Sequence, residues 1–515
     1  MSPAPTPPQI GQKTTPLRAP LGSSGDTQTD VQNLLDYLLA RGKYASTDGG
    51  SSAEKAENGV GMLRGLADDD SQVKVEQFEV GTDTYSLLCA MLIHLYSALQ
   101  QFGQSNPTYL LTITSPSSSE AHKFVLRRKP SGRLISSTAH RIEREYLILS
   151  RLTAYNASLT ASQGNSNGAA TTYPDLVPVP KVYGYCADPT IVGAEFYVMD
   201  YLQGRIFEDV RLTVIPDLEE RRKIWMAAIK ALTLLSTIPP ETLGFPKTFA
   251  PPAHKPAFFP RQVNSLLKVS AAQAATPLPT PAPTRTSIGD IEGSKEMVPY
   301  LRSGAARLAA FEQEKGVFSV VHGDFKMDNL IYHPTEPRVI GILDWELCTL
   351  GSPLSDLANL LLPYSIAVSS IPRELRPDSN SGKPASNLLQ ALKHLTPTQL
   401  AGLPTCEELE REWIRQMNKG TNWHLQRHNG GEGLSTRMVE WEWPIPGLDF
   451  VRSWMLWRLA IIAQGISARA ALGQASSAHA TTSNESFDLF GRLALAVKRD
   501  DKDAVPGTGE VKAKL

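Results

Sequence analysis

Phe318-Ser319-Val320-Val321-His322-Gly323-Asp324-Phe325-Lys326-Met327-Asp328-Asn329-Leu330-Ile331-Tyr332, continued at Val339-Ile340-Gly341-Ile342-Leu343-Asp344-Trp345-Glu346, is the stretch that decides the fold. Short apolar runs of strand character enclose a loop dense in charged and amide groups. Asp324 follows a strand and a His-Gly turn, where a carboxylate can reach a hydroxyl and accept its proton. Asn329 lies five residues on, and its amide oxygen is a hard, neutral ligand suited to magnesium. Asp344 closes the run VIGIL twenty residues after Asp324.

Taken singly, each of these residues is more often a turn-former or a loop cap. As an ordered set, each at a strand edge, they point to phosphoryl transfer. The separation of Asp324 and Asn329 is that of the Asp and Asn in H-R-D-x-x-x-x-N. Asp324 would be the base, Asn329 and Asp344 would hold Mg2+, and Asp344 would bridge the metal to the β- and γ-phosphates of ATP. Lys326, two residues after the base, would neutralise charge on the transferring group.

The segment HGDFKMDNLIY…VIGILDWELCTLGSPLSDLANLL resembles the aminoglycoside-phosphotransferase-type kinase family. It is most similar to the branch found alone or fused to acyl-CoA dehydrogenases. The resemblance extends over roughly 100–475, with further likeness in QSNPTYLL, VLRRKP…EREYLIL, FYVMDYLQGR and WRLAIIAQGISARAALGQ. It implies an α+β, protein-kinase-like fold of two lobes, a small β-rich one with a key helix and a larger, mainly helical one. It also implies that Asp356 braces the catalytic loop.

In the first lobe, Phe124-Val125-Leu126-Arg127 falls where protein kinases carry Val-Ala-Ile-Lys. The resemblance therefore puts Arg127 on the ATP phosphates, with Glu145 as its helix partner. The residues agree, because Ile142, Glu145, Leu149 and Leu152 share one helical face, and an acid on an apolar face usually has a partner. Gly103, Gln104, Ser105 and Asn106 would form the phosphate-covering loop. Met199 and Tyr201, in Met199-Asp200-Tyr201-Leu202, fall at the interlobe hinge that holds adenine. Three departures stand out. Arginine replaces lysine at 127, the usual Gly-Asp-Pro-Leu turn reads Gly351-Ser352-Pro353-Leu354, and an apolar insertion at 79–100 separates Val75-Glu76-Gln77-Phe78 from the phosphate loop. Because Gln-Phe occurs at both 77–78 and 101–102, this insertion reads as a retained intron or mispredicted splice; the alternative is an extra helix packed on the first lobe.

The chain has 515 residues and a balance of 51 basic against 52 acidic side chains. That length predicts more than one lobe, and that balance argues against a nucleic-acid binder. The four cysteines lack metal-ligand spacing, so free thiols are expected. No run approaches the roughly 20 apolar residues of a membrane span, and the N-terminus lacks the apolar core of a secretory signal. Composition predicts a disordered tail at 1–27, a nucleotide lobe at 28–200 with a flexible loop at 153–172, and a catalytic lobe at 201–500 interrupted by a Pro-rich linker at 274–287. A flexible tail at 501–515 ends in Ala513-Lys514-Leu515, a close variant of the Ser-Lys-Leu signal that predicts a peroxisomal import receptor as partner.

Only twelve residues separate Asp344 from Asp356, and no Ala-Pro-Glu motif follows. Protein kinases seat peptides on a longer segment ending in that motif, so the acceptor is expected to be a small-molecule hydroxyl. The resemblance and the C-terminus together imply a hydroxy-acid or 4-hydroxyacyl-CoA of fatty-acid catabolism. The competing readings are an aminoglycoside or choline kinase and a non-catalytic nucleotide binder. Six tryptophans between 413 and 457 could wall an acceptor pocket or fill the core, and Arg458 and Arg469 could meet an anionic substrate or pair structurally.

Overall fold

The structure, a computed structural model, describes residues 14–16, 27–39, 63, 72–78, 106–114, 121–130, 141–163, 176–250, 257–282, 285–371, 390–427, 440–474 and 481–501. The insertion at 79–100, Gly103 to Ser105 and the Ala513-Lys514-Leu515 terminus lie outside the described residues.

The first lobe contains β1 (Thr14–Pro16), helix α1 (Thr27–Leu38), β2 (Gln72–Phe78), β3 (Thr108–Thr114), β4 (Ala121–Arg128), helix α2 (Ile142–Gln163), β5 (Val182–Cys186) and β6 (Phe196–Asp200). The strands form one antiparallel sheet in the order β1-β2-β3-β4-β6-β5. The central parts of β3 and β6 read as nearly continuous apolar runs because both faces of the sheet are covered there. Tyr109, Leu111, Phe124, Leu126 and Val198 pack with Leu34, Leu35 and Leu38 of α1, while Val125, Tyr197 and Met199 pack with Ile148, Leu149 and Leu152 of α2. Strand alternation then settles where Arg127 points. Two residues from Val125, it shares the α2 face, and Arg128 takes the opposite one.

The second lobe is built from helices α3 (Leu218–Ser236), α4 (Phe258–Ala274), α5 (Ser294–Lys315), α6 (Leu354–Leu360), α7 (Cys406–Arg427), α8 (Leu448–Ala471) and α9 (Glu485–Asp500). Asp217 caps α3 by accepting the Glu219 N–H at 2.9 Å. Helix α8 is apolar almost all round, as befits a helix enclosed by others, and it packs against α4, α5, α6 and α9. Between α3 and α4, Phe249 closes the stretch after a short 3-10 turn at 240–243. Six short strands complete the lobe: β7 (Pro277–Ala282), β8 (Arg285–Ser287), β9 (Ser319–Val321), β10 (Leu330–Tyr332), β11 (Val339–Ile342) and β12 (Thr349–Gly351). They pair as three antiparallel ribbons, β7 with β8, β9 with β12 and β10 with β11. No helix of the described residues is long and apolar enough to cross a membrane.

Three compositional expectations need correction. The tail at 1–27 contributes β1, where Thr14↔Phe78 and Pro16↔Glu76 pair. A proline is tolerated there because the strand lies at the sheet edge. The 153–172 loop is helical to Gln163, since Leu159 is buried and the Asn156 side chain bonds both the N–H and the C=O of Val177. The 274–287 linker is the end of α4 followed by the β7–β8 ribbon, anchored through buried Leu278 and Ile288. Prolines are compatible with a two-stranded ribbon, every strand of which is an edge.

Candidate functional site

The catalytic loop emerges from β9 as His322-Gly323-Asp324. Gly323 has φ +89°, and an added Cβ would meet the Leu347 carbonyl oxygen at 2.7 Å, so only glycine fits this turn. Asp356, buried on α6, accepts the backbone N–H of His322 at 2.6 Å and of Gly323 at 2.8 Å. Burial pushes its carboxyl up to about 7, and those two N–H donors oppose the rise. The bracing role expected of Asp356 is what the structure shows.

His322 is fully buried, and its Nε2 lies 2.9 Å from the Leu343 carbonyl while its Nδ1 accepts the Asp324 N–H at 3.3 Å. Those partners assign the neutral tautomer protonated at Nε2, and burial also holds its pKa below the ordinary value. The histidine thereby ties the turn bearing Asp324 to the strand end bearing Asp344.

Both oxygens of Asp324 are held by amides. Asn329 Nδ2 donates to Oδ2 at 3.0 Å and to the Asp324 carbonyl at 2.8 Å, and Asn359 Nδ2 donates to Oδ1 at 3.2 Å. Lys326 Nζ stands 3.5 Å from Asp324 and 3.3 Å from Asp328. Burial raises the Asp324 pKa, but Lys326, Arg458 and the Asn359 bond act against it, and the net value lies below the ordinary one. At neutral pH the group is a carboxylate, the form a base needs. Arg458 reaches in from α8 to donate to the Gly323 carbonyl at 3.3 Å. It pairs structurally with the catalytic loop.

Asn329 and Asp344 sit at one end of the β10–β11 ribbon, where the Leu343 N–H donates to the Asn329 carbonyl at 2.9 Å. Asp344 adopts φ +66°, an unusual conformation for a non-glycine residue of the kind found at functional sites. Its side chain is 37% exposed, and Oδ1 accepts from Arg127 Nη2 at 3.1 Å. With its Nδ2 committed to Asp324, Asn329 presents its amide oxygen as the atom for a cation. This amide-carboxylate pair of hard oxygens fits Mg2+. Among the described residues no group of three or more His, Cys, Asp or Glu is arranged around a metal. Burial and the adjacent Asp344 carboxylate push Glu346 up to about 7.

On the first-lobe side, Arg127 Nε lies 3.1 Å from Glu145 Oε2, and Glu145 is completely buried. Tyr197 donates to the same carboxylate at 3.1 Å, and Asn106 Nδ2 donates to its other oxygen. The expected Arg127–Glu145 pair is therefore present, and Arg127 spans Glu145 and Asp344. Asn106, expected in a phosphate-covering loop, is buried with its amide spent on Glu145. Met199 lies on the α2 face of β6, and Tyr201 follows directly where the chain leaves the sheet.

Asn359 was absent from the sequence reading, although it lies three residues beyond Asp356 on α6 and so shares the face turned to the catalytic loop. Four of the six clustered tryptophans, Trp413, Trp441, Trp454 and Trp457, are core residues, and Trp443 is 41% exposed. Away from the site, Glu312 near the end of α5 is buried beside Ser352, and burial pushes its carboxyl up to about 8.

A model of the phosphotransferase enzyme family (APH) matches residues 100–392, more than half of the chain. Rat acyl-CoA dehydrogenase family member 11 is 29% identical over 413 residues, covering 80% of this chain and 41% of that protein. The probable acyl-CoA dehydrogenase IBR3 of Arabidopsis thaliana is 34% identical over 266 residues, 52% of this chain and 28% of its own. The chain thus spans less than half the length of these relatives. Among solved structures, a putative aminoglycoside phosphotransferase from Ralstonia eutropha is 22% identical, with a TM-score of 0.53 over 83% of this chain and 93% of that one. At that identity the likeness is one of fold.

Proposed function

Since the chain belongs to the phosphotransferase enzyme family, we propose that it transfers the γ-phosphoryl group of ATP, with Mg2+, to the hydroxyl of a small molecule, a hydroxy-acid or 4-hydroxyacyl-CoA. The observation that carries this reading is the arrangement at the lobe boundary. An ionised, amide-held Asp324 and the joined pair Asn329–Asp344 are partly exposed on the second lobe, and Arg127 of the first lobe is bonded to Asp344.

The chemistry follows from these positions. Asp324 orients the acceptor hydroxyl and takes its proton as the oxygen bonds to the γ-phosphorus and the bond to the β–γ bridging oxygen breaks. Lys326 and Arg127 offset the negative charge on the phosphates. Asn329 and Asp344 would hold the Mg2+, whose contribution is to neutralise phosphate charge.

Two features support a small acceptor that is not a polycation. The chain after Asp344 makes one 3-10 turn, pairs as β12 with β9 and enters α6 directly, leaving no extended platform for a peptide. Three acids of α7 that would suit a cationic acceptor are already paired, Glu407 with Arg411, Glu408 with Arg222 and Glu410 with Arg452. The acyl-CoA dehydrogenase relatives support a setting in acyl-CoA metabolism. Ala513-Lys514-Leu515 supports peroxisomal import, and a fluorescent fusion lacking Leu515 should become diffuse; an unchanged punctate pattern would sink that part.

The direct test incubates the protein with ATP, Mg2+ and a panel of hydroxyacyl-CoAs, free hydroxy-acids, choline and aminoglycosides, read by mass spectrometry. A phosphoryl adduct on a hydroxyacyl-CoA or hydroxy-acid is the expected result. An adduct confined to choline or an aminoglycoside would replace the acceptor assignment, and ATP binding with no turnover on any acceptor would replace the enzyme with a nucleotide-binding module.

A further inference from the structure

Arg144 stands beside Glu145 on α2 but faces the other lobe. Its Nε and Nη2 donate to the Cys348 carbonyl at 3.1 and 2.8 Å, and its Nη1 donates to the Phe249 carbonyl at 2.6 Å. The guanidinium also lies over the Phe249 ring at 4.0 Å, and that ring is stacked on Phe245. Cys348 is buried, four residues beyond Asp344, and its N–H closes the intervening 3-10 turn onto the Trp345 carbonyl at 3.0 Å. Consecutive residues of α2 thus hold both ends of one short, rigid segment. Glu145 holds it at Asp344 through Arg127, and Arg144 holds it at Cys348.

We infer that Arg144 is a positioning residue, fixing the spacing between the Arg127–Glu145 pair and Asp344 so that the nucleotide site stands assembled without a separate activating event. The inference rests on the ATP-binding reading above. A planar fork suits this task, since several N–H groups reach two carbonyls at once while the plane lies on an aromatic ring. A lysine keeps the charge and loses the fork. Without the anchor, α2 and segment 344–348 can separate, and Arg127 can no longer meet Glu145 and Asp344 together.

Calorimetric titration with ATP and Mg2+ tests this without an acceptor. Arg144→Ala and Arg144→Lys should each weaken ATP binding roughly ten- to a hundredfold, the scale of a lost charged hydrogen-bond set. Arg151→Ala, an exposed position on the same helix, should bind as wild type. In a cycle with Glu145→Gln, the double variant should lose little more than either single one. Unchanged affinity in Arg144→Ala, or fully additive losses, would overturn the inference. So would a deficit that vanishes on cooling to where all variants are folded, since that marks lost stability alone. A wild-type protein that binds no ATP would overturn the function reading as well, which separates the two failures.

Discussion

Glu145 in the first lobe is fully buried and Arg127 is 11% exposed, whereas Asp324 and Asp344 in the second are 30% and 37% exposed. The first pair lies in a dry core among Tyr197, Asn106 and the α2 stripe. The second is partly exposed, with Asp324 steadied by the Asn329 and Asn359 amides and Asp344 by Arg127. The charge proposed to bind phosphate is thus woven into the fold of the first lobe, while the carboxylate proposed as the base is held in position with solvent access. Loss of the first should damage folding together with binding, and loss of the second should damage rate alone.

The largest effect on rate belongs to the exposed half. Asp324→Asn keeps size and removes the base, at the cost of one of the two amide bonds the carboxylate accepts, so turnover should fall by about 10²–10⁴. Its thermal midpoint should stay near that of wild type. A large drop in that midpoint would erase the contrast between the halves.

Arg127→Met probes the dry half. It strands Glu145 in the core, and breaking a buried pair from one side costs about 3–5 kcal/mol. Urea unfolding should show a loss of that order together with weakened ATP binding. Stability equal to wild type would mean that Glu145 is not sustained by Arg127.

Glu312 sharpens the point as a buried acid bonded to the neutral Ser352. Its folded pKa, about 8, lies above the ordinary 4.5, so the folded state retains a proton that the unfolded chain releases. Wild-type stability should therefore fall as pH rises from about 4.5 toward 8. Glu312→Gln should remove that slope, matching wild type at pH 4 and exceeding it by up to about 4 kcal/mol at pH 9. Parallel pH profiles in urea unfolding would refute this.

The smallest effect is assigned to Asn359→Ala, which removes one amide from Asp324. Turnover should drop roughly tenfold, the scale of one hydrogen bond to a charged group, with the KM for ATP unchanged. A change confined to the ATP KM would put Asn359 on the wrong side of the comparison.

The sequence disclosed most where a periodicity and a chemical oddity coincided. The helical stripe marks Glu145, the resemblance supplies Arg127 and Asp356, and the Asp324–Asn329–Asp344 spacing survives in the ribbon geometry. Asn359 needed only the further step of following the helical face of Asp356 by three residues. Arg144 gave no such signal, because its partners are backbone carbonyls supplied by distant segments, and any residue carries a carbonyl. Composition misled for the same physical reason at 153–163 and 277–287. Small polar residues and prolines weaken local preference, and tertiary anchors such as Asn156 to Val177 and buried Leu278 decide the outcome. Helix α9 has an apolar face that is completed against α8 and the 291–293 segment.

The central claim is most directly tested by a single-turnover assay with γ-labelled ATP, Mg2+ and a 4-hydroxyacyl-CoA, comparing wild type with Asp324→Asn. The account predicts label transferred to the acyl-CoA hydroxyl by wild type and a loss of at least about a hundredfold in the variant, with both proteins binding ATP alike. Equal transfer by the two proteins would contradict Asp324 as the base, and label appearing only as free phosphate would contradict the acceptor.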